Sequence, residues 1–107
     1  MYSLKEKDYN TLNVTVASSM TVDTIETLDK MKKDISLWLD SRHDVKVVFI
    51  FNELVELDST GLGVIIKIYD NIKEKNGQMY YYGANERVES LFQVTTFDTF
   101  IKKITSL

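Results

Sequence analysis

The sequence contains no cysteine and no proline. Without cysteine there is no disulfide, no thiol nucleophile and no thiolate metal site. A small secreted module stapled by disulfides is disfavoured for the same reason. Histidine occurs once, at His43, which leaves a zinc site short of ligands. Glycine occurs only at Gly61, Gly63, Gly77 and Gly83, and no flexible linker is visible. A basic surplus is also missing: 13 Lys and Arg stand against 16 Asp and Glu, for a net charge of −3. Nucleic-acid binders carry the opposite balance, so DNA and RNA are poor partners for this chain. Long apolar runs are absent as well. The longest, Val45–Phe51 and Leu62–Ile66, fall far short of the roughly 20 residues that cross a bilayer. The opening MYSLKEKDYN has no apolar stretch and is not expected to be a signal peptide, which makes the cytoplasm the expected location.

What the chain does have is an ordinary globular balance. Its 107 residues are 44% hydrophobic and 27% charged, enough for one core and one domain over residues 1–107. Ser3–Lys7 reads as a polar edge strand, Asp8-Tyr9-Asn10 as a turn, and Thr11–Ala17 as a half-buried strand with Leu12, Val14 and Val16 on one face. Thr21 is placed to cap a helix, with Asp23 in its first turn. Val22, Ile25, Leu28, Met31 or Lys32, Ile35 and Trp38-Leu39 then form one apolar stripe, with the helix ending near Ser41. Val45–Phe51 is a nearly continuous β-branched and aromatic run, expected to be a central strand buried on both faces. Asn52–Leu57 reads as a connection and Thr60–Asn76 as a helix closed by Asn76-Gly77. Met79–Tyr82 reads as a strand, Asn85 as the cap of a short helix through Phe92, and Thr99–Ile104 as a last strand. The order β-β-α-β-α-β-α-β predicts an α/β domain, with a mixed sheet of about four to five strands covered by about three helices.

Enzymatic readings find little support. His43 precedes the buried strand and Ser59 follows it, which puts a base and a nucleophile at opposite ends of the sheet, not in one triad. Glu53, Glu56 and Asp58 lie on a polar connection where solvation accounts for them. Gly61-Leu62-Gly63 lacks the third glycine of a dinucleotide fingerprint and the Gly-Lys-Ser/Thr of a phosphate loop. The informative stretch is Leu57-Asp58-Ser59-Thr60-Gly61-Leu62-Gly63. Its simplest reading makes Ser59 or Thr60 an N-cap, Asp58 a complement to the helix dipole, and the two glycines a close approach to the sheet. A second reading adds chemistry. A phosphoryl group on a hydroxyl at a helix N-terminus meets free backbone N–H groups and the positive dipole end.

Asp58-Ser59-Thr60-Gly61-Leu62-Gly63, between the strand Val45–Phe51 and an apolar helix, resembles the signature of bacterial anti-sigma factor antagonists, the single-domain members of the STAS family. Gly77-Gln78-Met79-Tyr80 resembles the family's glycine-led fourth strand, and Val88-Glu89-Ser90-Leu91-Phe92 the short helix after it. Val94-Thr95-Thr96-Phe97 falls where the family usually has a small residue followed by an apolar one. The resemblance spans nearly the whole chain. It implies a STAS-like fold and a protein that is not an enzyme and needs no cofactor of its own. Its unphosphorylated form would bind a serine kinase that doubles as an anti-sigma factor. ATP and magnesium would belong to that kinase, and a metal-dependent serine phosphatase would reverse the modification. By position the resemblance makes Ser59 the phosphoacceptor, with Asp58, Thr60, Gly61 and Gly63 around it and Thr21, Asp23 and Leu62 as partner contacts. The docking face is expected to combine the start of the second helix with the loop Ser18–Asp23. Three departures stand out. Thr21 occupies the place of a family aspartate, and Asp23 comes two residues late. Ile50 and Phe51 stay apolar where the family's strand turns polar. The chain stops at Leu107, so the common C-terminal helix is expected to be short or absent, with the surface it covers exposed or paired with another chain. The rival readings are a phosphoswitch with a non-sigma target such as biofilm or secretion control, a scaffold subunit in a stress-sensing or lipid-transport assembly, and, last, a small enzyme using Asp58 and Ser59.

Overall fold

The alternation in Thr11–Val16 and the continuity of the next apolar run lead to different strand environments. The computed structural model describes residues 1–107. Strand β1 (Tyr2–Asp8) pairs antiparallel with β2 (Thr11–Val16). The turn between them is tightened by the Asn10 N–H donating to Asp8 Oδ1 at 3.0 Å. Strands β4 (Lys46–Ile50), β6 (Gln78–Tyr82) and the short β7 (Lys102–Lys103) follow in parallel, giving the order β1-β2-β4-β6-β7. The central position expected for Val45–Phe51 is borne out.

Parallel register lines up Leu12, Val47 and Met79 in one row, and Val14, Phe49 and Tyr81 in the next. All six are buried in the main core. The residues between them, including Asn13, Val48 and Tyr80, face the other way. Val48 is buried yet lies outside that core cluster. Burial on both faces, expected from the continuous apolar run, therefore holds on this side only at Val48: Lys46 is exposed and Ile50 half-buried. Each crossover steps in the same direction along the sheet, and right-handed crossovers in one direction put every helix on one side. On the other face Asn13, Val48 and Tyr80 line an open pocket of about 360 Å³ together with Ile104, Ser106 and Leu107.

Helix α1 (Ile25–Leu39) buries Leu28, Met31, Ile35 and Leu39. A 3-10 turn, Val22–Thr24, precedes it. Val22, expected in the apolar stripe, is instead 60% exposed, because the tighter turn rotates it off the stripe. Trp38 packs half-buried against the core, its indole N–H donating to Glu6 Oε1 at 2.8 Å. Arg42 lies over the rings of Trp38 and Tyr9 and pairs with Glu6, so the β1–β2 hairpin is tied to the end of α1. Helix α2 (Ser59–Glu74) buries Leu62, Val64, Ile65, Ile68 and Ile72. It closes as Asn76-Gly77 suggested. Asn76 takes φ 55°, and the N–H of Gly77 donates to the carbonyl of Ile72 at 2.9 Å. Helix α3 (Glu86–Val94) is capped by Asn85, whose Oδ1 accepts from Val88 N–H at 2.9 Å. The last strand is shorter than expected, because Phe97–Thr99 forms a 3-10 turn.

A second sheet was not foreseen. Strand β3 (Ser18–Met20) and β5 (Leu54–Leu57) form a parallel two-stranded ribbon. The sequence reads as a loop over Ser18–Asp23 and as a connection over Asn52–Leu57. The two strands are three and four residues long, too short to show a period-2 pattern.

Candidate functional site

The ribbon continues β2 and β4 beyond the C-terminal end of the sheet, and its last rung reaches Asp58. There the Asp58 N–H donates to the carbonyl of Met20 at 3.2 Å. This holds Asp58 extended, at φ −119° and ψ −173°, as α2 begins at Ser59. An extended residue with a short acceptor side chain is what an N-cap requires. The Asp58 carboxylate fills the role: Oδ1 accepts from Gly61 N–H at 3.1 Å. Its other oxygen, Oδ2, accepts from Val22 N–H at 3.1 Å. The cap is therefore Asp58, not Ser59 or Thr60, because pairing to Met20 fixes which residue is the last extended one.

These bonds hold the Asp58 carboxyl below its ordinary value. Gly61 N–H is the leading cause; partial burial opposes it, and Val22 N–H adds to it. A depressed folded pKa gives stability that is present above the unfolded value and lost as pH falls through the folded one. Asp58 should thus contribute fully at neutral pH and progressively less below about pH 4. Acid titrations followed by circular dichroism should show Asp58→Ala with a lower melting temperature at pH 7 and a smaller loss on acidification than wild type. Thr60→Ala, which removes no cap, should stay within about 0.5 kcal/mol of wild type at neutral pH.

The other expected site residues divide between surface and core. Ser59 is exposed and Thr60 half-buried in the first turn of α2. Gly61 is buried, and a Cβ built there would lie 2.2 Å from the carbonyl oxygen of Met20. Gly63 faces open space, so only one of the two glycines serves close packing. Asp23 is exposed, but Thr21 is 8% exposed and Leu62 7%. Leu62 belongs to the core, which leaves little of it for a partner to touch. Thr21 is the extended residue before the 3-10 turn, its N–H donating to Thr24 Oγ1 at 3.1 Å. His43 lies just before β4, at the opposite end of the sheet from Ser59.

The sequence reading missed the contribution of α3. An open groove of about 650 Å³ runs beside the start of α2, with Val22, Asp23, Glu56 and Asp58 on one side and Arg87 and Leu91 on the other. Val94, at the same groove, is 80% exposed. The available signal was Val94, three residues after Leu91 and so on the same side of a helix that was expected to end at Phe92.

A family model described as STAS domain matches residues 3–107. Over 99 residues the chain is 22% identical to the anti-sigma-B factor antagonist of Listeria monocytogenes, spanning 92% of this chain and 83% of that protein. Its fold is similar to that of the anti-sigma factor antagonist SpoIIAA in its unphosphorylated form, with TM-score 0.82 at 15% identity over 99% of this chain and 90% of that one. A looser likeness, TM-score 0.58 at 14% identity over 99% of this chain and 89% of that one, relates it to a chain in the complex of the diguanylate cyclase SiaD with its activator SiaC from Pseudomonas aeruginosa.

Proposed function

The chain belongs to the STAS domain family, and on that premise we propose that it is an anti-sigma factor antagonist gated by phosphorylation of Ser59. The unphosphorylated form binds a serine kinase that is also an anti-sigma factor, and thereby frees the sigma factor. Phosphorylation at Ser59 dissolves the complex, and a metal-dependent serine phosphatase restores it. The observation that carries this reading is an exposed Ser59 in the first turn of α2, next in sequence to the Asp58 cap, which itself lines the groove. At that position a phosphoryl group meets the positive end of the helix and needs no rearrangement of the core. The chain supplies the acceptor hydroxyl; the base, ATP and magnesium belong to the kinase. No helix is long and apolar enough to cross a membrane, and the cytoplasm is where such a kinase and its sigma factor would meet it. The direct experiment is the intact mass of protein purified from its native cells. A phosphate-sized addition that disappears in Ser59→Ala supports the reading; an unmodified protein under every growth condition would refute it.

Asp23 offers a test of the docking face. It is exposed at the groove beside Asp58 and Glu56, where it adds to an acidic rim. Asp23→Arg should weaken kinase binding by about tenfold or more, while urea unfolding stays within about 0.5 kcal/mol of wild type. Unchanged affinity would place the interface elsewhere. Thr21→Arg cannot serve as a partner test, since it would bury a charge and threaten the fold.

A second reading keeps the switch and changes the target. The likeness to a chain of the SiaD–SiaC complex favours a regulated partner that is not a sigma-factor pathway component, such as a cyclase in biofilm control. Affinity purification with Ser59→Ala, held in one state, distinguishes the two by which class of partner is retained.

A further inference from the structure

We propose that Asp58 is a positioning residue of the switch, whose carboxylate clasps the loop at Val22 and Asp23 to the start of α2 so that loop and phosphoacceptor meet the kinase as one rigid surface. The inference rests on the reading of Ser59 as the phosphoacceptor and deepens it.

The clasp is visible in how the two oxygens are used. Oδ1 accepts from Gly61 N–H and Oδ2 from Val22 N–H, each at 3.1 Å. The two donors are 39 residues apart in sequence, and one side chain satisfies both. Capping a helix needs one acceptor, and Ser, Thr or Asn supplies it as well as Asp. Only a carboxylate side chain at this length offers two acceptor oxygens with no donor. The second bond therefore goes beyond what the helix requires.

The loop has few other ties to α2. Both Val22 and Asp23 are exposed, and the Thr24 hydroxyl bonds back to Ser19 and Thr21, within the loop's own neighbourhood. Without the clasp the Val22 N–H would turn to water, and the loop would have to be ordered again on docking. That ordering cost appears in affinity, not in the chemical step. Loss of the clasp is expected to raise KM for the protein substrate and leave kcat nearly unchanged.

Two substitutions break the clasp from opposite sides. Asp58→Asn keeps an amide oxygen for Gly61 N–H but puts an NH2 group where Val22 N–H needs an acceptor. Val22→Pro deletes the donor and leaves Asp58 intact. Its position suits proline, because Val22 opens the 3-10 turn and Thr21 before it is extended at φ −137° and ψ 177°. Amide hydrogen exchange on the free protein should show Val22 protected in wild type and unprotected in Asp58→Asn, with Gly61 still protected. Kinetics with the kinase that phosphorylates wild-type Ser59 should then show KM raised about tenfold in each variant, with kcat within about twofold. The double variant should be no worse than the poorer single, since one interaction is lost only once. Lost protection with unchanged KM, or additive losses in the double variant, would overturn the proposal and leave Asp58 a cap only. If wild type itself is not phosphorylated at Ser59, every variant reads zero. The functional reading then falls, and this inference falls with it.

Discussion

Phosphorylated at Ser59, the protein is expected to bind its kinase at least about a hundredfold more weakly than the unmodified form. The phosphoryl group adds about −1.5 to −2 charge at pH 7. It would do so one residue from Asp58, which lines an acidic groove with Asp23 and Glu56 against the single cation Arg87. Burying an unpaired charge in an interface costs several kcal/mol, and each 1.4 kcal/mol is about tenfold in affinity. Ser59→Asp adds only one charge and should lie between the two forms. Ser59→Ala adds none, removes a hydroxyl that is exposed, and should bind like the unmodified protein. Wild type, Ser59→Ala and Thr60→Ala, incubated with kinase and ATP and followed by intact mass and calorimetry, separate the outcomes. Thr60 is half-buried, and its variant should still be phosphorylated. Modification of Ser59→Ala to the wild-type level would move the acceptor elsewhere. Equal affinity before and after phosphorylation would leave a scaffold role in place of a switch.

Where the sequence was legible, the reason was local. Leu12, Val14 and Val16 alternate because one face of β2 meets helices and the other does not. Asn85 and Asn76-Gly77 act at the helix ends where they stand, because capping and left-handed turns are decided by a few adjacent residues. The site needed more than neighbours in sequence. Asp58, Ser59 and Thr60 form three possible caps in a row, and only the rung from Asp58 to Met20 selects the first. The ribbon of β3 and β5 buries little more than Met20 and Leu54, so no apolar period announces it. Thr21 and Asp23 look alike as polar loop residues, yet the turn sends one inward and leaves the other in water. Arg87 and Leu91 reach the groove through the packing of α3, which the spacing within α3 does not encode.

The two glycines of the motif should respond to alanine in opposite directions. At about 100° per residue, positions two apart on a helix point some 200° away from each other, so Gly61 and Gly63 cannot both face the ribbon. A Cβ at Gly61 would lie 2.2 Å from Met20 O and 2.6 Å from Leu57 Cδ1, whereas one at Gly63 meets nothing within 4 Å. The Met20 oxygen is backbone, held by the Asp58 N–H, and cannot swing aside as a flexible side chain would. Gly61→Ala must therefore push the first turn of α2 off the ribbon, an overpacking that typically costs about 1–3 kcal/mol. Gly63→Ala should stabilise by about 0.5–1 kcal/mol, the usual gain of alanine over glycine inside a helix. In urea the two midpoints should fall on opposite sides of wild type. The same displacement would carry Ser59 away from Val22 and Asp23, so the folded fraction of Gly61→Ala should also be a poorer kinase substrate, while Gly63→Ala keeps the geometry. Equal effects of the two substitutions would mean that α2 does not sit on the ribbon as described, and the shared surface of loop and phosphoacceptor would lose its physical basis.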